Sequence, residues 1–281
     1  ADEALAKAET QQGAARNAAL ARLGALPDAT PEQLRRAATL LTQAGAWDSA
    51  LELVDGWLVK EPKSFEARLL EASAALETRK AKRAEQAAKE AAELAPGDAR
   101  PDVVLARLRE AQGDAAGALE MWTRAASKAP GDAHALGRQG YWLSQSGRLD
   151  EADAALSRAA RRRTVSPTTT AELGFVKYRK GQFDEALKLL RGVVRDAPEL
   201  FEGHYYLAPV LFRKKDLPGA RAEYLAADAL APDDSRALSG LCEMEQLAGG
   251  GAELEAARQR IRERFPKGAD ALLARCAATA P

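Results

Sequence analysis

Aromatic rings are scarce in this chain. Phe, Tyr and Trp together supply 5% of its 281 residues, as 6 Phe, 5 Tyr and 4 Trp. A core built on stacked rings is excluded, and most of the buried volume must come from Ala, Leu and Val. Histidine occurs only at His134 and His204, and cysteine only at Cys242 and Cys276. No Cys or carboxylate lies at metal spacing beside either histidine, and a protein metal site needs about three or four converging ligands. Both histidines are therefore expected on the surface or half-packed. Neither sign of charge is in excess, since 41 Lys and Arg balance 41 Asp and Glu. That removes the positive surplus on which nucleic-acid affinity rests. No apolar run approaches the ~18 residues of a membrane span. The glycines in "LGRQG" (136–140) and "GGGAEL" (249–254) lack the following Lys-Ser or Lys-Thr and the preceding strand of a phosphate loop. No nucleophile is paired with a base. These absences predict a protein that is not an enzyme, takes no cofactor, has no nucleic-acid partner and has no direct membrane span.

What is abundant is alanine, arginine and glutamate, in a chain with 46% apolar residues. Such text favours helix. Proline then reveals a period. Pro62, Pro96, Pro130, Pro198, Pro232 and Pro266 fall on one 34-residue frame, and the one skipped step lands on Thr164. A fixed period of this size marks a solenoid. Counting back from Pro62 gives seven units: 31–64, 65–98, 99–132, 133–166, 167–200, 201–234 and 235–268.

Other columns keep the same frame. Position 8 of the units reads Ala38, Ala72, Ala106, Gly140, Gly174, Ala208 and Cys242. Position 15 reads Gly45, Arg79, Gly113, Gly147, Gly181, Lys215 and Gly249. Position 20 is Ala50, Ala84, Ala118, Ala152, Ala186, Ala220 and then Leu254; position 27 is Trp57, Ala91, Ala125, Ala159, Val193, Ala227 and Ile261. Small residues at positions 8, 20 and 27 let two helices approach closely. A glycine near position 15 breaks the first helix into a turn. Proline at position 32 ends the second helix, because it lacks an N–H and disfavours helix in the residue before it. The stretch "GQFDEALKLLRGVVRDAP" (181–198) shows the second half of a unit in full: turn, acidic first helical turn, apolar spacing, stop.

The frame and these columns resemble the tetratricopeptide repeat family, over residues 31–268. The pattern departs from the family at Thr164, Trp57, Ile261 and Leu254, and the seventh unit carries "AGGGAEL" at its turn. The resemblance implies an all-α fold, a right-handed superhelical solenoid of antiparallel helix pairs. Residues 1–30 are expected to form an N-terminal helical cap, either one helix or a degenerate pair. Residues 269–281 continue the frame as a capping first helix, with Cys276 at position 8.

In this family the first helices line a concave groove, and the resemblance implies that positions 2, 5, 9, 12 and 13 face it. The first three units place no ring there; unit three, for example, gives Arg100, Val103, Arg107 and Glu110. Units four to six differ. They give His134, Tyr141, Ser144 and Gln145, then Thr168, Phe175, Tyr178 and Arg179, then Glu202, Tyr205, Pro209, Phe212 and Arg213. Rings that packing does not require are characteristic of binding surfaces. The alternative is that curvature buries them between neighbouring helices. Pro209 cannot donate to the carbonyl of Tyr205 and is expected to kink its helix beside that ring.

The expected partner-binding residues are thus Tyr141, Phe175, Tyr178, Arg179, Tyr205, Pro209, Phe212 and Arg213, in a non-catalytic scaffold that holds a peptide or protein ligand. The alternative is a fixed structural subunit of a larger assembly, with envelope assemblies among the options, contacted through its convex face or ends. The family's carboxylate-clamp chaperone sites use Lys and Asn at groove positions. Here position 5 carries no Lys and position 9 no Asn, which argues against that function.

Three smaller readings remain. Cys242 and Cys276 share position 8, a slot for small buried residues. Stacked helices lie roughly 8–10 Å apart, whereas a bridge needs Cα atoms within about 7 Å. They are expected to be free buried thiols, with a disulfide as the alternative in an exported protein. Arg161, Arg162 and Arg163 close a second helix and are expected to be solvated against its dipole, or else to meet an acidic partner. The opening "ADEALAKAET" suits a mature terminus left by signal cleavage, which points to an exported, periplasmic protein rather than a cytoplasmic one. A domain cut from a longer chain would read the same.

Overall fold

The computed structural model describes residues 1–278. Among the described residues there are seventeen α-helices and no strand. They fall into two compact units, residues 1–131 and the chain from Asp132 onward.

The first unit opens with α1 (Asp2–Thr10) and α2 (Gly13–Arg22), followed by a single 3₁₀ turn at Leu23–Ala25. Three helix pairs follow: α3 (Pro31–Gln43) with α4 (Trp47–Lys60), α5 (Phe65–Glu77) with α6 (Ala81–Leu94), and α7 (Arg100–Ala111) with α8 (Ala115–Lys128). Each pair packs internally, and α4 and α6 each pack on the first helix of the next pair. Thr30 starts α3 with a capping box: its hydroxyl accepts from the Gln33 amide while Gln33 reaches back to the Thr30 N–H.

The second unit contains α9 (Ala133–Gln145) with α10 (Leu149–Ala160), α11 (Pro167–Arg179) with α12 (Phe183–Asp196), α13 (Phe201–Arg213) with α14 (Leu217–Leu230), and α15 (Arg236–Leu247) with α16 (Ala252–Arg264). It ends in α17 (Ala269–Ala278). The first helices form their own row, with α9 against α11, α11 against α13, α13 against α15 and α15 against α17. Residues 279–281, which belong to the expected C-terminal cap, lie outside the described residues. In the unit that has Thr164 in place of proline, α10 stops at Ala160, whereas its counterparts reach the position equivalent to Arg162.

The columns explain why each pair closes. The position-20 alanines from Ala50 to Ala220 are fully buried, and Leu254 nearly so. At position 27 every residue from Trp57 to Ile261 is buried. At position 15 the backbone turns left-handed in all seven units, including the non-glycine Arg79 (φ 58°) and Lys215 (φ 64°). That residue is the pivot of a Schellman motif. In the first repeat Ala46 N–H donates to the Leu41 carbonyl and Gly45 N–H to Thr42; in the sixth Asp216 donates to Leu211 and Lys215 to Phe212.

One expectation is corrected. Cys242 and Cys276 are joined in a disulfide, with a Cα–Cα distance of 5.6 Å, and neither is a free thiol. The generic spacing between stacked helices does not hold here. The facing position-8 side chains of α15 and α17 are both small and fully buried, so the two backbones come within bridging distance.

Candidate functional site

Four first helices of the second unit carry the site. On α11, Phe175 and Tyr178 are three residues apart and so share a face; their rings are stacked with centroids 6.3 Å apart. On α13, Tyr205 and Tyr206 are adjacent and lie at 5.6 Å. Tyr206 stacks on Phe175 across the helix interface at 4.5 Å. Tyr205 stacks on Phe201 at 5.3 Å and meets the edge of Tyr224 from α14 at 6.2 Å. The rings therefore form a continuous ladder from α11 to α14.

This ladder walls a cleft of about 530 Å³. Six of the eight expected residues line it: Phe175, Tyr178, Tyr205, Pro209, Phe212 and Arg213. The four rings among them are half-buried, backed by the core yet open on one side, and Arg213 is exposed at the rim. Helix α13 runs as one element through Pro209, whose ring faces the cleft and which brings no N–H to the Tyr205 carbonyl. The far wall is Gly240, Glu243, Met244 and Leu247 of α15. Gly240 is required there, because a Cβ would come within 2.6 Å of the Tyr224 ring.

The other two expected residues stand elsewhere. Arg179 is turned toward α9, donating to the Ser144 carbonyl at 2.7 Å, and its guanidinium rests 5.9 Å from the Phe175 ring centre. Tyr141 lines a second pocket of about 610 Å³, which shares Tyr206 with the first. Arg138 lies over the Tyr141 ring at 4.8 Å. Glu172, Glu202, Arg236 and His134 also line this pocket.

Glu172 is the unusual group. It is only 5% exposed. Its Oε1 accepts a 2.8 Å hydrogen bond from the Tyr206 hydroxyl, while Oε2 has no hydrogen-bond partner. Burial pushes the Glu172 carboxyl above the ordinary carboxylate range, more strongly than the Tyr206 hydrogen bond pulls it down. Burial and the neighbouring carboxylate likewise push the Tyr206 phenol up. Arg236 already has a carboxylate, Asp234 at 2.6 Å, and lies over the Phe201 ring at 4.6 Å.

The remaining polar candidates are structural or solvated. His204 is buried between the Glu223 carboxylate (2.6 Å) and the Pro198 carbonyl (2.9 Å). Arg161, Arg162 and Arg163 are exposed just after α10. Among the described residues no cluster of His, Cys, Asp and Glu could hold a metal ion, and no helix is long and apolar enough to cross a membrane.

Groove positions alone do not point to Glu172, Tyr206 or Gly240. All three occupy position 6 of their units, a column that also holds Arg36, Leu70, Val104 and Arg138. The column mixes charged and apolar residues from the first repeat on, so it carries no signal of its own; the burial of Glu172 in the fold is what marks it. Tyr224 lies on a second helix and has no groove position, and of the α15 wall only Glu243 (position 9) and Leu247 (position 13) fall on groove positions.

The sequence profile described as Tetratricopeptide repeat matches residues 35–99, 103–167 and 172–235, more than half of the chain. Among curated proteins none matches the sequence. Similar solved structures include pilF of Pseudomonas aeruginosa, at 18% identity and TM-score 0.58, covering 72% of this chain and 92% of that one. PilW, a type IV pilus biogenesis factor, aligns at 16% identity and TM-score 0.64, covering 74% and 98%. YrrB, a repeat protein with an unusual peptide-binding site, aligns at 17% identity and TM-score 0.57, covering 66% and 96%. At these identities the structures share the fold, and the profile match together with the seven in-phase helix pairs shows that the chain belongs to the tetratricopeptide repeat family.

Proposed function

We propose that this protein is a non-catalytic scaffold that binds a peptide or protein segment in the ring-lined cleft of its second unit. The observation that carries the reading is the cleft itself: four half-buried rings and Pro209 face one open space of about 530 Å³. Half-buried rings can surrender their remaining exposed area to a partner without refolding, and aromatic anchors in a pocket dominate binding energies. The peptide-binding site named for YrrB is consistent with such a use of this fold. The Cys242–Cys276 disulfide supports an exported, oxidising location, since such bonds persist mainly outside the cytosol; the pilus role named for PilW fits an envelope setting.

The test is comparative capture. Wild-type protein and Phe212→Ala are used as bait in parallel, with bound proteins identified by mass spectrometry and thermal melting as a folding control. Phe212→Ala is expected to weaken the cleft partner by roughly 1–3 kcal/mol. Tyr205→Ala should do the same, with some loss of stability because Tyr205 also packs on Phe201 and Tyr224. A partner held equally by all three proteins would return the alternative, a structural subunit contacted elsewhere.

A further inference from the structure

Buried rings with a polar tip give their polar atom to a protein partner in this chain, with one exception. The Trp57 indole N–H donates to Glu61 at 2.7 Å, the Trp122 N–H to Glu110 at 2.6 Å, and the Tyr206 hydroxyl to Glu172 at 2.8 Å. Tyr224 is comparably buried, at 7% exposed, and its hydroxyl makes no hydrogen bond among the described residues. It reaches the ring-lined cleft from α14, beside Gly240 of the far wall. The hydroxyls of Tyr178 and Tyr205, on the same cleft, are also without a hydrogen-bond partner among the described residues. None of the three oxygens is sealed from solvent, so each opens on the space that its ring lines. Burial, and for Tyr224 the neighbouring Tyr205 and Tyr178 phenols as well, pushes the Tyr205 and Tyr224 phenols above their ordinary value, and both remain O–H donors at neutral pH.

The cleft is therefore rich in donors. Arg213 adds an exposed guanidinium, a group with donors only, that makes no ion pair among the described residues. Strong acceptors are fewer: the Glu243 carboxylate, which has Arg275 at 3.9 Å, and the Tyr205 carbonyl that Pro209 leaves without an N–H. A phenol oxygen also accepts, but an occupant that uses it only in that way leaves a buried O–H unsatisfied, at its full desolvation cost. This imbalance selects the backbone that fits. A helix spends its carbonyls on its own N–H groups, and a strand brings one N–H for every carbonyl. A proline-rich segment brings carbonyls without N–H groups, and in the polyproline II conformation it makes no internal hydrogen bonds.

We infer that the ring-lined cleft takes a proline-rich segment of its partner in the polyproline II conformation, whose pyrrolidine rings lie against Phe175, Tyr178, Tyr205 and Phe212 and whose carbonyls accept from the Tyr178, Tyr205 and Tyr224 hydroxyls. This rests on the proposed groove binding and adds the partner's chemistry to it. Such a segment is already extended before it binds, so docking on aromatic rings costs it little conformational entropy.

A display library of random short peptides, selected on the full chain, tests this. Wild-type protein should enrich proline-rich peptides whose binding is lost on Phe212→Ala. In a selected peptide, replacing the most sensitive proline with alanine restores an N–H and should weaken binding about tenfold. N-methylalanine at the same place restores no N–H and should recover most of that loss. Tyr178→Phe and Tyr224→Phe keep the ring and remove one donor each, so each should weaken the same peptide by about threefold to tenfold with thermal melting unchanged. Selected peptides that depend on Phe212 but carry no proline, or that bind Tyr178→Phe and Tyr224→Phe as tightly as wild type, overturn the proline-rich partner and leave groove binding standing. Failure to select any peptide whose binding depends on Phe212 overturns both.

Discussion

The two units use one repeat frame for different ends. All five tyrosines of the chain lie after residue 131, whereas the first unit has no tyrosine and one phenylalanine, Phe65. At groove positions the first unit puts ion pairs. Arg107 at position 9 of its unit reaches Glu77 at position 13 of the one before, at 2.7 Å. The same two slots one half further along are Pro209 and Arg179, which line a cleft or cross to a neighbouring helix carbonyl. Exposed ion pairs of the first kind contribute about 0–1 kcal/mol and are screened by salt, so they keep a surface soluble without making it sticky. Rings supported from behind do the opposite. The packing columns are the same in both units, which is why the difference can exist: the frame is specified by small residues at positions 8, 20 and 27, and the groove positions are free to vary.

The ends of the two units differ as well, and here the largest effect is expected. α1 is held without a covalent tie: Leu5 and Ala8 are buried in the core of the first unit, and Glu9 pairs with Arg36 at 2.6 Å. α17 is tied down covalently through Cys276 to Cys242. Closing a loop of 34 residues restricts the unfolded chain by about 3–4 kcal/mol. Reduction, or Cys242→Ser with Cys276→Ser, should lower the melting of the second unit by that order and leave the first unit's transition in place. Hydrogen exchange resolved along the chain reads both, and protection lost evenly from α3 to α17 would show that the two units do not unfold separately. Loss of protection should begin at α17 and α15, since stability in a solenoid is carried by adjacent interfaces.

Overpacking tests whether the columns really are equivalent. Ala84 in the first unit and Ala186 in the second both sit at position 20 with no exposed surface. Replacing either with Leu forces a branched side chain into a close helix contact and should cost roughly 1–3 kcal/mol. Ala152→Leu should behave likewise. Equal costs, measured by denaturant unfolding, would support one shared frame; a tolerated Ala186→Leu beside a costly Ala84→Leu would mean that the ring-lined unit packs more loosely.

Most of the fold was legible because it is written at fixed spacing. The proline period, the position-15 turn and the small columns each place an element to within a residue or two, and the helix pairs of all seven units follow, including the seventh with its glycine-rich turn. The groove was legible only where a ring sits at an outward position, as for Phe175 and Phe212. Tyr224, Met244 and Leu247 come from a second helix and from the next unit, and their convergence depends on how close α13 and α15 lie, which no single column records. The disulfide was missed for the same reason: an average helix spacing cannot show that two small facing residues draw α15 and α17 together. Glu172 was not legible because position 6 already mixes Arg36 and Arg138 with Leu70 and Val104, so a charge there does not stand out until its burial is seen.

The smallest expected effect is also the cleanest comparison between the units, because each contains one irregular turn. Arg79 and Lys215 hold the left-handed position that glycine fills in the other five units, and both side chains are exposed. An L-residue in this conformation is strained by about 1–2 kcal/mol, and glycine there releases the strain while adding about 0.5–1 kcal/mol of unfolded-chain entropy. Arg79→Gly and Lys215→Gly should therefore each stabilise their own unit by up to about 1 kcal/mol, and Gly113→Ala or Gly181→Ala should destabilise by a similar amount. Lys215 lies two residues after Arg213 at the rim of the cleft, and its backbone N–H bonds the Phe212 carbonyl. Partner affinity is thus expected to stay unchanged in Arg79→Gly, and to stay unchanged in Lys215→Gly only if the turn keeps its Schellman geometry when the strain is gone. Lys215→Gly that stabilises the fold but weakens binding would show that the strained turn sets the position of Phe212, whereas destabilisation by either glycine would mean that the side chains support these turns through contacts of their own.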